Sequence, residues 1–81
     1  MRLPRDLSGD DLARALAPLG YAVTRQARSH IRLVTTECGE HHVTIPRKSN
    51  LRVGTLSAIL ADVAEHLDMS REQLLQRLLD E

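Results

Sequence analysis

The sequence has no tryptophan and no phenylalanine, and Tyr21 is its single aromatic residue apart from the histidines. A core without large rings has to be filled by Leu, Ile, Val and Ala, and a bound nucleic acid would find no platform on which to stack its bases. Any such ligand must be held by its phosphates. Cysteine is equally scarce: Cys38 stands alone, which excludes an intrachain disulfide. There is no run of about twenty apolar residues of the kind that crosses a membrane. The first residues, with Arg2 and Asp6 around Leu3-Pro4, lack the apolar stretch of a signal peptide. Phosphate-cradling glycine motifs are missing too. Together these absences favour a cytoplasmic location. The length of 81 residues leaves room for one domain, 1–81, that buries about 60–65% of the surface exposed by the unfolded chain.

Net charge is also lacking, at zero, but the charges are segregated along the chain. Residues 1–24 balance Arg2, Arg5 and Arg14 against Asp6, Asp10 and Asp11. Residues 25–52 set Arg25, Arg28, Arg32, Arg47, Lys48 and Arg52 against Glu37 and Glu40, a net +4. Residues 53–81 set Arg71 and Arg77 against Asp62, Glu65, Asp68, Glu72, Asp80 and Glu81, a net −4. The basic segment also holds His30, His41 and His42. A phosphate-binding middle joined to an acidic tail follows from this distribution.

Periodicity supplies the elements. Ser8, with Asp11 three residues on and then Leu12, Ala13, Leu16 and Ala17, reads as an N-capped helix that Pro18 and Gly20 end. Residues 21–28 read as extended, Tyr21 and Val23 alternating with Ala22 and Thr24, and residues 30–36 continue in β-branched company. Glu37-Cys38-Gly39-Glu40 is a turn in which Gly39 can take positive φ, and residues 41–46 form a third strand. Alternation puts Ile31, Leu33, Val43 and Ile45 on the side facing the helices, and His30, Arg32, His42 and Thr44 on the open side. A polar connector, Arg47 to Arg52, leads to a helix that the Gly54-Thr55 pair can cap, with the stripe Leu56, Ile59, Leu60, Val63, Ala64 and Leu67. A last helix starts at Ser70, Gln73 completing a capping box, and offers Leu74, Leu75, Leu78 and Leu79. The fold class is α+β, an antiparallel three-stranded sheet with helices on one face.

His30 is the first candidate for chemistry. An imidazole titrates near neutral pH and can take a proton from a ribose 2′-hydroxyl, and Arg28, Arg32 and Arg47 are suited to clamp the neighbouring phosphate. A half-exposed strand histidine among solvated charges has the same signature, so spacing alone leaves both readings open. A hydrolytic metal site wants several carboxylates or a dense Cys/His group, and the basic segment has only Glu37 and Glu40, at a turn. Cys38, His41, His42 and His30 would supply four zinc ligands on paper. Yet Cys38-x-x-His41 has no matching second pair, and adjacent strand residues point to opposite faces. Neither a metal nor another cofactor is expected. His41 and His42 read as solvated hairpin residues, Cys38 as an incidental thiol, and His66, beside Glu65, as part of a polar helix face.

Ser29-His30 entering a strand, a short hairpin, a strand ending Val43-Thr44-Ile45-Pro46, a basic connector, and then Gly54-Thr55-Leu56-x-x-Ile59-Leu60 form a combination that resembles the HicA (YcfA-like) mRNA interferase toxins of bacteria and archaea. The resemblance runs from the helix before Gly20-Tyr21 to the helix after Ser70. It implies a double-stranded-RNA-binding-domain-like fold, mRNA cleavage without a metal, one essential histidine, which the Ser-His match puts at His30, and neutralisation by a HicB-like antitoxin. RNA contacts are then expected from Arg28, Ser29, Arg32, Arg47, Lys48 and Arg52. The chain departs from the family in three places: Arg28 stands where Gly is common, Arg47-Lys48 follows the proline where a histidine is frequent, and the stretch from Leu60 to Ser70 is longer, adding a helical turn. Two rival readings share the fold: a non-catalytic module that holds structured RNA by shape and phosphates, and a structural subunit whose basic face docks an acidic protein.

Overall fold

The computed structural model describes residues 7–79. The charges read at Arg2, Arg5, Asp6, Asp80 and Glu81 lie outside the described residues, as does the side chain of Leu79. The order is α1 (Gly9–Leu16), a 3-10 turn (Ala17–Leu19), β1 (Ala22–Gln26), β2 (His30–Thr35), β3 (His41–Pro46), α2 (Val53–His66) and α3 (Arg71–Leu79). The sheet is antiparallel with β2 in the middle. This is the expected α+β arrangement.

The N-cap expected at Ser8 and the capping box expected at Ser70 are both present, and Ser8 with Asp11 forms a full box as well. The Ser8 hydroxyl accepts from the Asp11 N–H at 3.0 Å while the Ser8 N–H donates to the Asp11 carboxylate at 3.2 Å. These two contacts, with Arg14 alongside, hold the Asp11 carboxyl below its usual range. At α3 the Gln73 N–H donates to the Ser70 hydroxyl at 3.1 Å and the Ser70 N–H to the Gln73 side chain at 2.9 Å. The cap of α2 differs from expectation. The helix starts at Val53, with Arg52 in the extended capping position and no side chain closing the first turn, so Gly54 and Thr55 lie inside the helix. Burial of Leu51 in the connector is what brings the start forward: Leu51 enters the core and its N–H donates to the Leu7 carbonyl at 2.8 Å. The stretch after Leu60 stays helical to His66, and Asp68 turns the chain with a left-handed φ of 56°.

α1 packs on β2 and β3, α2 on β3, and α3 closes against α1 and α2. Ile31, Leu33, Val43 and Ile45 are buried on that face, as their alternation requires, and meet Leu12, Leu16, Leu60, Val63 and Leu74. Each such side chain contributes roughly 1.5–3 kcal/mol by leaving water. β1 departs from its expected alternation. Tyr21, just before it, is buried, whereas Val23 is 46% exposed and all five strand residues face solvent. Two causes act together: the helices do not cover this edge, and pairing jumps from Val23↔Leu33 to Arg25↔Arg32, leaving Thr24 as an extra bulged residue. The strand also stops at Gln26, so Ala27 and Arg28 belong to the turn before His30.

One close approach locks α1 to the end of β3. Gly9 lies against the backbone of Pro46 and Arg47, where a Cβ would sit 2.2 Å from the Pro46 carbonyl oxygen, and its N–H donates to the Lys48 carbonyl at 2.9 Å. Only glycine fits such a contact without displacement.

Candidate active site

His30 is the first residue of the middle strand and is exposed on the face away from the helices. Its backbone is fixed on both sides. The Ala27 N–H donates to the His30 carbonyl at 2.9 Å, and His30 faces Pro46 across the ladder to β3. Its ring is held by Ser29, whose hydroxyl lies 2.9 Å from Nδ1. A hydrogen bond at Nδ1 leaves Nε2 free to meet a substrate, and if the ring donates there, Nε2 carries the lone pair a base needs.

Arg47 braces the turn that carries His30. Its backbone N–H donates to the Ser29 carbonyl at 2.7 Å, its Nη1 donates to the Ala27 carbonyl at 3.2 Å, and its Nε lies 3.4 Å from Asp10 of α1. The guanidinium is therefore partly engaged within the protein. Arg28, Ser29, Arg32, Lys48 and Arg52, the other residues expected at an RNA surface, are all exposed. Among the described residues, Arg28, Arg32, Lys48 and Arg52 form no ion pair; the pairs present use Arg14, Arg47, His41 and His42. Arg32 shares the open face with His30, two residues along the strand, while Arg28 lies in the turn before it.

The remaining histidines divide. His42 is exposed and its Nε2 lies 2.7 Å from Glu40, as a solvated hairpin residue would. His41 is largely covered. Its Nε2 lies 3.2 Å from Asp62 of α2 and its Nδ1 2.8 Å from the Tyr21 hydroxyl, so when Nε2–H donates to the carboxylate, Nδ1 can accept from the phenolic O–H. Burial, then the charges of Asp62 and Cys38, push the Tyr21 phenol up to about 12 and keep it a donor. Nor does His66 merely line a polar face. It stacks on His41 with ring centroids 4.3 Å apart, and its Nε2 donates to the carbonyls of Glu37 at 2.8 Å and Gly39 at 3.0 Å. These contacts tie the β2–β3 turn to the end of α2, on the helix side of the sheet from His30. The partners lie twenty or more residues apart in sequence, which is why spacing gave no sign of them. Cys38 is exposed, with a left-handed φ of 57°, next to Gly39 at 99°.

Arg25 is the residue that sequence reasoning left without a role. The charge count included it, but its direction depends on the bulge at Thr24, for which the local sequence has no signal. Its register places it opposite Arg32.

A family model described as the HicA toxin of bacterial toxin-antitoxin systems matches residues 9–64. The match begins at the first residue of α1 and ends within α2, so it spans all three strands, His30 and the basic connector. No curated protein and no solved structure matches the chain.

Proposed function

The chain belongs to the HicA toxin family of bacterial toxin-antitoxin systems, and from that premise we propose that it is a metal-independent mRNA endoribonuclease acting in the cytoplasm through a single histidine, His30. The observation that carries this reading is the exposed His30 ring at the start of the middle strand, held at Nδ1 by Ser29, beside Arg28 and Arg32, which form no ion pair among the described residues. The Nδ1–H donates to the Ser29 hydroxyl, and Nε2 takes the proton of a ribose 2′-hydroxyl. The 2′ oxygen then attacks the adjacent phosphorus, the bond to the 5′ oxygen breaks, and that oxygen receives the proton from the imidazolium. The products are a 2′,3′-cyclic phosphate and a 5′-hydroxyl. Arg28 faces the negative charge that grows on the phosphoryl oxygens, where a donor contributes most because the charge develops there, and Arg32 holds the backbone at the neighbouring phosphate. Lys48 and Arg52 hold the backbone farther along, and Arg47 offers its remaining N–H groups to it while bracing the His30 turn. A HicB-like antitoxin neutralises the enzyme by covering this face with carboxylates.

The test uses purified protein, an RNA oligomer and EDTA. Wild type cleaves and His30→Ala does not, with the two proteins giving the same circular-dichroism melt because an exposed ring adds little to the core. RNA carrying 2′-O-methyl groups resists. Cleavage of that RNA, or near wild-type cleavage by His30→Ala, refutes the mechanism.

A further inference from the structure

The bulge in β1 has a chemical result. With regular pairing beyond Val23↔Leu33, Thr24 would oppose Arg32 and Arg25 would oppose Ile31, whose side chain is fully buried beneath the helices. The extra residue resets the register, so Arg25 opposes Arg32 on the open face, and the Thr24 hydroxyl donates to the Arg32 carbonyl at 3.3 Å beside the break in the ladder. On its other side Arg32 opposes Thr44 of β3. Arg25, Arg32 and Thr44 thus form one transverse row across the three strands, and all three are exposed.

Such a row is unfavourable in the free protein. Directly opposed cross-strand residues have Cβ atoms roughly 4.5–5.5 Å apart, and like charges there destabilise the pair. Among the described residues no carboxylate lies within ion-pair distance of Arg25 or Arg32. The row sets two residues with planar guanidinium forks and one with a hydroxyl side by side on one face, a donor set that a tetrahedral oxyanion can satisfy. His30 lies on the same face two residues before Arg32, a displacement of about 6.6 Å along the strand at the usual rise. We infer that Arg25, Arg32 and Thr44 form a subsite for a single phosphodiester group of RNA, the one adjoining the phosphate whose ribose meets His30. The assignment rests on His30 as the base for its place in the reaction, but the anion site itself does not need that reading.

Two measurements on the full chain separate the possibilities. The first compares thermal melting in inorganic phosphate and in chloride at equal ionic strength. Wild type gains stability in phosphate; Arg25→Ala melts at or above wild type in chloride and gains less in phosphate. The second measures binding and cleavage of single-stranded RNA. Arg25→Ala weakens binding to a hexanucleotide about ten-fold, as expected for one lost charge-assisted contact, and flattens the log affinity against log salt slope by roughly 0.7. Arg25→Lys, which keeps the charge without the fork, recovers only part of the affinity. The loss in kcat/KM is smaller on a dinucleotide, which has no second phosphate. Arg77→Ala, an equal change of charge on α3, leaves the hexanucleotide affinity and slope as they were. If Arg25→Ala matches Arg77→Ala in slope, affinity and phosphate response, the subsite is overturned. If wild type binds and responds to phosphate as described but cleaves nothing, the subsite stands and the ribonuclease reading falls.

Discussion

Replacing Gly9 by alanine tests how the first helix sets the position of the turn before His30. The added Cβ would lie 2.2 Å from the Pro46 carbonyl oxygen and 3.2 Å from the Arg47 Cα, both backbone atoms that cannot rotate away. Ordinary contact begins at 3.4 Å, so helix and strand end must part by about 1.2 Å, the difference between 3.4 and 2.2 Å. Forcing a methyl group into a packed contact costs about 1–3 kcal/mol, and losing the Gly9 N–H bond to the Lys48 carbonyl adds roughly 1 kcal/mol. Better helix propensity returns at most about 1 kcal/mol. The expected net loss is about 1–3 kcal/mol, read as a lower urea midpoint with an unchanged slope. Because Arg47 donates to the Ser29 carbonyl, the displacement reaches the turn before His30, and RNA cleavage falls more than the fraction of folded protein does. A variant as stable as wild type, with its RNA cleavage intact, would refute the reasoning.

Three further outcomes follow from contacts described above. Ser29→Ala lowers kcat with little change in KM and displaces the pH profile of kcat, and Ser29→Thr restores both, because the hydroxyl orients the His30 ring. Tyr21, the sole tyrosine, ionises with a midpoint near 12 in place of 10.0 when followed by tyrosinate absorbance. A raised pKa stabilises the fold fully below pH 10.0 and loses that contribution as pH climbs towards 12, so alkaline unfolding sets in across that window. In complex with its antitoxin, the chain shows amide-exchange protection concentrated in residues 28–48; protection confined to residues 66–79 would mean that inhibition leaves the basic face open.

What was legible in the sequence was whatever local chemistry decides. Ser8 with Asp11 and Ser70 with Gln73 announce helix starts within four residues, and the alternation of Ile31, Leu33, Val43 and Ile45 fixes which side of β2 and β3 meets the helices. His30 and Arg32 were placed on the open face by the same alternation. The start of α2 was not legible, because it follows from burial of Leu51 against distant Leu7 and not from Gly54-Thr55. Arg25 escaped for a similar reason: one bulged residue reverses the face of everything after it. His41 and His66 meet only when β3 and α2 pack, so no spacing rule reports their stack.

The strand that bears His30 and Arg32 is bonded to a neighbour on each side. Opening it therefore means disrupting two ladders, whereas either outer strand can fray by losing one, so the middle strand belongs to the last part of the molecule to give way. On the proposed reading, the strand backbone that carries the site loses little conformational freedom when RNA binds, the cost on the protein side being the ordering of exposed arginine and lysine side chains. The remaining ordering entropy falls on the single-stranded polymer, which must bend its sugar and phosphates to a template already set. Cleavage should accordingly favour segments that pre-folded RNA leaves slack, and base pairing across the site should protect RNA even where every phosphate remains accessible.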